Sequence, residues 1–155
     1  MMQRRFVLIA SLGSAVLMLG AVAFQYLGDM APCKMCYWQR YPHIAAVLIG
    51  VGFLFKSHAL LPWLGAASTM ATSGVGFFHA GVERGVWPGP QSCTSSPIDD
   101  LSTEELVAQI MAAPMVRCND IPWEMFGVSI AGWNALLSLG LTAVWLWGAT
   151  HRKEP

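Results

Sequence analysis

Long apolar runs separated by short polar patches dominate this chain, with no sustained alternation of the kind that marks a half-buried strand. The breaks are charges: none occurs in 6–28, 41–55, 57–82 or 125–151. A helix needs about 20 mainly apolar residues to cross a bilayer. The first, third and last gaps reach that length. The second does so once extended back through Met35-Cys36-Tyr37-Trp38-Gln39-Arg40, which puts Arg40 inside or at the lip of a span. The pattern therefore predicts an all-α membrane protein, a four-transmembrane-helix bundle forming a single integral membrane domain over 1–155. Its spans fall at about 6–27, 35–55, 59–81 and 127–148, and its outer loops at 28–34 and 82–126.

The first segment also invites reading as a cleaved leader, with Arg4 and Arg5 ahead of it and Ala21-Val22-Ala23 near its end. Its apolar run from Phe6 to Phe24 exceeds a leader's usual core, and three further spans follow, so an uncleaved helix is expected. Composition agrees: 55% of residues are hydrophobic and 12% charged, with a mean hydropathy of +0.49. A soluble domain carries about 25% charge. Nine basic residues balance nine acidic ones, so no basic face for nucleic acid is available, and disorder is excluded by the apolar content.

Lys and Arg beside the spans set orientation. Arg4, Arg5, Lys56, Arg152 and Lys153 fall on one side; Lys34, Arg40, Arg84 and Arg117 fall on the other, together with the acids from Glu83 to Glu124. Both termini are then cytoplasmic and both loops face outward.

All four cysteines lie in or beside those loops: Cys33 and Cys36, then Cys93 and Cys118. An even count on the non-cytoplasmic face reads as disulfide chemistry. Of three possible pairings, Cys33–Cys36 with Cys93–Cys118 is the natural one. A C-x-x-C bridge closes too small a loop to staple much. At a helix start and near a cation its thiols become acidic, which favours redox use. Cys93 and Cys118 read as a loop staple or as a second redox pair exchanging with the first.

Arg40 follows Cys36 by four residues and shares its helix face, where a cation can stabilise a Cys36 thiolate or an anionic acceptor; snorkelling to the interface is the plainer reading. Tyr37, Trp38 and Tyr41 suit an aromatic belt or the wall of a flat cofactor. Pro42 either kinks the second helix or begins its regular part. Glu83 and Arg84 are expected to be solvated at a helix exit. In the long loop, Ser102 and Glu105 suit a capping box and Leu101 with Leu106 a hydrophobic staple, starting a short amphipathic helix that ends before Pro114.

Pro32-Cys33-Lys34-Met35-Cys36-Tyr37-Trp38-Gln39-Arg40, with the later Cys93 and Cys118, resembles the DsbB family of disulfide bond formation proteins. The likeness covers nearly the whole chain. It implies a membrane thiol:quinone oxidoreductase of the bacterial inner membrane, with the cysteines and a long second loop on the periplasmic side. Electrons would pass from a DsbA-like thiol oxidase to ubiquinone or menaquinone, with no metal. By position, Cys93 would take the partner's thiolate, Cys118 would be its loop partner, Cys33 would exchange with the loop and Cys36 would face the quinone. Arg40 matches the family's quinone-side arginine, whereas Gln39 departs from the acidic residue of some members. No motif assigns His79 a family role; near the outer end of the third span it is a candidate donor to a quinone oxygen, or a histidine that caps carbonyls or meets water.

Two other readings stay open. Vitamin K epoxide reductase-like proteins also join a C-x-x-C to a loop pair, but there the loop cysteines come first. A copper-handling membrane protein would use Cys33, Cys36, Met30 and Met35, although no histidine lies near them at ligand spacing.

Overall fold

Each charge-poor stretch forms one long helix: α1 (Met2–Tyr26), α2 (Lys34–Phe55), α3 (Leu61–Glu83) and α5 (Ile130–Thr150), the last numbered after a short α4 (Thr103–Ala112). The computed structural model describes residues 2–91, 93, 102–112 and 116–151. Leu101, Pro114, Arg152, Lys153 and the side chain of Leu106, named in the loop and orientation readings, lie outside the described residues. α1 packs on α2 and α5, and α3 packs on the same two, most extensively on α5, so the helices form a four-membered ring in which α1 and α3 barely meet.

The residues inside the ring are mostly small or hydroxylated. Ser14, Thr69, Thr72, Ser138 and Thr142 are almost wholly buried, while Ile9, Leu12, Val16 and Leu19 form an exposed stripe on α1. This inversion suits a bundle whose outside meets lipid: apolar burial drives nothing there, and close packing with interhelical hydrogen bonds holds the helices instead. Thr142 donates to Thr69 (2.9 Å) and Ser73 to the Ala135 carbonyl (2.8 Å), both joining α3 to α5. Gly65 lies flat against the Trp145 ring, where even a methyl group would collide. α1 and α5 are each long and apolar enough to cross a bilayer; α2 and α3, of similar length, carry most of the polar side chains described below.

Pro42 lies within a continuous α2, so it does not begin the helix; it removes the N–H that the Trp38 carbonyl would otherwise accept. α5 starts at Ile130 rather than 127. A hairpin occupies the intervening residues, with β1 (Glu124–Met125) paired to β2 (Val128–Ser129). Its two-residue turn, Phe126-Gly127, has positive φ at both positions, as a type I′ hairpin turn requires. Ser129 then caps α5 by accepting the Gly132 N–H at 3.2 Å. On α4, Ser102 and Glu105 exchange the reciprocal bonds of a capping box, which hold the exposed Glu105 carboxyl below its usual range.

Candidate active site

The end of the bundle where α2 begins and α3 ends gathers all four cysteines. Cys33 is the N-cap of α2, and its sulfur accepts the Cys36 N–H at 3.3 Å. One turn of helix brings the Cys36 sulfur back over it, and the two free thiols are 2.9 Å apart. Cys93 and Cys118 form a disulfide, and the Cys118 N–H donates to the Cys93 carbonyl. Cys33, Cys93 and Cys118 share one buried cluster with Met35 and Val82, with Cys36 and Trp87 packed against it.

His79 joins the pairs. Its Nε2 lies 3.5 Å from the Cys33 sulfur and 3.2 Å from the Cys118 carbonyl oxygen. The amide of Gln39 sits behind the ring: Nε2 of Gln39 donates to the Met35 carbonyl (3.2 Å) and to Nδ1 of His79 (2.9 Å). A neutral imidazole that accepts at Nδ1 carries its proton on Nε2. The His79 N–H therefore faces the sulfur and the carbonyl. The hydrogen bond from Cys36 most of all, and His79 and the Cys36 N–H in addition, lower the Cys33 thiol to about 4 against the opposing effect of burial.

Glu83 differs from the solvated residue expected at a helix exit. Its side chain is 3% exposed, accepts a hydrogen bond from Ser129 and lies 3.8 Å from Nε2 of His79. The hairpin folds over the end of α3 and covers it, which the sequence around Glu83 alone does not signal. Arg84 stays at the surface with Glu124, 3.2 Å away.

Arg40 does not reach the sulfurs. It turns to α1, donating to Gln25 (2.7 Å) and to the Ala21 carbonyl (3.3 Å), with its guanidinium over the Tyr37 ring. It still lines a cavity of about 970 Å³ that also touches Cys33, Cys36, Gln39, His43 and His79. The same cavity runs between apolar side chains of α1 and α5, including Val16, Leu17 and Leu137. Behind it, Asn134 of α5 donates to Gln39 of α2 (2.8 Å) and to Thr72 of α3 (3.2 Å) and faces His43 (3.0 Å), linking three helices through polar groups. Neither His43 nor Asn134 stands out in the sequence, since each is one polar residue in an apolar run. His79 reaches Cys33 from 46 positions away and adds a third soft-metal donor within 4.8 Å of both sulfurs, a neighbour that local spacing does not reveal.

Paired cysteines of this kind, set between apolar helices beside a cavity, belong to membrane oxidoreductases that make and exchange disulfides. Residues 3–148 match the family model described as disulfide bond formation protein DsbB. Proteins named disulfide bond formation protein B are 30% identical in Polaromonas sp. (94% of this chain, 89% of the relative) and 30% identical in Hahella chejuensis (92% and 91%). One from Stutzerimonas stutzeri is 28% identical over 96% of each chain. No solved structure matches. The chain belongs to the DsbB family, and is a membrane oxidoreductase of disulfide bond formation.

Proposed function

We propose that this protein is a four-span thiol:quinone oxidoreductase of a bacterial inner membrane, a single integral domain with both termini cytoplasmic and its cysteines periplasmic. It reoxidises a DsbA-like dithiol oxidase and passes the electrons to a membrane quinone. The observation that carries the reading is the contact of His79 with both Cys33 and the Cys118 carbonyl, which sets the two cysteine pairs side by side, with Cys33 and Cys36 on the cavity wall.

Each step is an exchange that conserves electrons. A partner thiolate attacks Cys93, forming a mixed disulfide and releasing Cys118 as a thiolate. The partner's second thiol resolves it, leaving the partner oxidised and the loop pair reduced. The loop pair then reduces the Cys33–Cys36 disulfide and is itself oxidised again. The arrangement with Cys93–Cys118 bonded and Cys33 and Cys36 free corresponds to the end of that transfer. The dithiol next loses two electrons and two protons, and Cys33–Cys36 reforms.

The residues fit a quinone. The cavity is of the size that holds a small organic cofactor. Its walls are apolar along α1 and α5, and a buried histidine nitrogen beside it lacks a partner among the described residues. A bound quinone supplies the two-electron, two-proton acceptor. Cys36 would face the ring and the guanidinium of Arg40 would hold one of its oxygens, with His79 on the cavity wall beside them. Gln25 and Ala21 engage only two of the five N–H groups of Arg40. His79 also holds the Cys33 thiolate, the form that exchanges.

Replacing either member of the first pair (Cys33→Ala or Cys36→Ala) is expected to abolish quinone-dependent oxidation of a thioredoxin-like dithiol, with Cys93–Cys118 left formed in Cys33→Ala. Oxygen-free assays with a short-chain ubiquinone read this directly, and coupling at the normal rate in both variants would refute the assignment. Soft-metal capture is a second reading, favoured by the Cys33, Cys36 and His79 donor set. Metal analysis of the reduced protein separates the two, since stoichiometric Cu(I) without bound quinone supports capture.

A further inference from the structure

His43 is a buried titratable side chain that the thiol chemistry leaves unused. It is 3% exposed, lies on α2 seven residues after Cys36 and lines the same cavity. Seven residues are two turns, so the two side chains project from one face about 10.5 Å apart along the axis. Arg40, between them, also lines the cavity. A flat ring with polar atoms at opposite ends therefore has protein groups along its length on a single helix.

The hydrogen-bond network assigns the ring protons of His43. Thr72 donates its hydroxyl hydrogen to the Gln39 carbonyl (2.9 Å), so toward Asn134 its oxygen accepts (3.2 Å). Gln39 uses its amide nitrogen on Met35 and His79, which leaves Oε1 to accept from Asn134 (2.8 Å). Both N–H groups of Asn134 are then engaged, and its Oδ1 is what meets Nε2 of His43 (3.0 Å). Nε2 of His43 is the donor in that contact; the Ser138 hydroxyl beside it (3.3 Å) gives its own hydrogen to Oδ1 of Asn134 (3.5 Å), so in a neutral imidazole Nδ1 is left with a bare lone pair. Reversing the Asn134 amide would set its oxygen against Oε1 of Gln39, so the assignment holds as a unit. Nδ1 of His43 is buried and has no hydrogen-bond partner among the described residues.

A lone pair selects a donor. An oxidised quinone offers only carbonyl oxygens, which also accept; a hydroquinone offers O–H groups. Resting on the quinone reading above, we propose that Nδ1 of His43 accepts a hydroxyl hydrogen from a hydroquinone in the cavity, so that the site holds the reduced acceptor more tightly than the oxidised one. His79 then meets the sulfurs with a donor while His43, on the cavity wall, offers an acceptor, and the Gln39–Asn134 pair fixes both polarities. A site that prefers the reduced form makes the bound pair more oxidising. A tenfold preference raises its potential by about 30 mV, which drives oxidation of the Cys33–Cys36 dithiol.

The test is binding rather than turnover. Anaerobic titrations of the fully oxidised protein in detergent, read by tryptophan fluorescence, give Kd for a short-chain ubiquinone and for its hydroquinone. The wild-type protein is expected to favour the hydroquinone by about tenfold. His43→Leu should abolish that preference with the quinone Kd unchanged. His43→Gln, which can donate to Asn134 and still present an oxygen lone pair, should retain most of it. Equal affinity of the wild type for both forms, or a His43→Leu effect that is absent or the same on both, overturns the proposal while the quinone reading stands. Failure of the wild type to bind either form overturns both.

Discussion

Cys33 is both the N-cap of α2 and the more buried sulfur of its pair. Its environment replaces water with directed donors: the Cys36 thiol, the Cys36 N–H and the Nε2–H of His79. With the thiol lowered from 9.0 to about 4, the unfolded chain binds the proton between those values and the folded one does not. The resulting stability of the reduced protein is present above the unfolded value and lost as pH falls through about 4. Ultraviolet absorbance of the reduced protein should therefore report one thiolate that persists down to about pH 4. Cys36→Ala removes the largest stabilising contact and should move that titration upward; an unmoved titration would show that Cys36 does not hold the charge. Arg40, one turn beyond Cys36, is the cation that the spacing expects to assist a Cys36 thiolate. The group found at Cys33 is His79, because α3 runs antiparallel to α2 and its C-terminal end lies at the start of α2, a juxtaposition that no spacing in the sequence expresses.

At the level of elements, the charge-free gaps marked all four long helices because charge is what lipid excludes most strongly. Their ends were less legible. The last was placed three residues early, since Gly127, Val128 and Ser129 are as apolar or small as the helix they precede, and only the turn at Phe126-Gly127 separates them. Which face of each helix turns inward was also hidden, because the inward faces carry small and hydroxylated residues that look weak by hydrophobicity. Gly65 and Gly74 make the point testable on one helix. A methyl group on Gly65 would come within 2.5 Å of the Trp145 ring, whereas nothing lies within 4 Å of Gly74. Gly65→Ala is expected to cost about 1–3 kcal/mol of stability, seen as a lower unfolding midpoint in detergent, and Gly74→Ala to leave the midpoint in place. Equal shifts would mean that the α3–α5 contact does not govern stability.

Across the whole molecule, the pairs Cys33–Cys36 and Cys93–Cys118 come from segments far apart in the chain and meet in one buried cluster. Their pairing chemistry was legible; their contact was not, since it depends on Cys93 and Cys118 returning to the start of α2. If the contact serves exchange, removing Cys36 should trap a crossing. In Cys36→Ala the Cys33 thiolate can attack the Cys93–Cys118 bond, forming one new disulfide to the loop and releasing the other loop sulfur as a thiolate. Non-reducing peptide mapping should recover a fragment joining the start of α2 to the long loop, and only unbridged Cys33 in that variant would argue against direct transfer.

The four sulfurs are all made before residue 119, but the amide that orients Gln39 and the serine that shields Glu83 are Asn134 and Ser129, at the start of the last helix. A chain still emerging from the ribosome thus possesses every cysteine before it possesses the framework that directs them. A chain arrested before α5 is made carries the thiols without the Asn134 amide that holds Gln39 against His79.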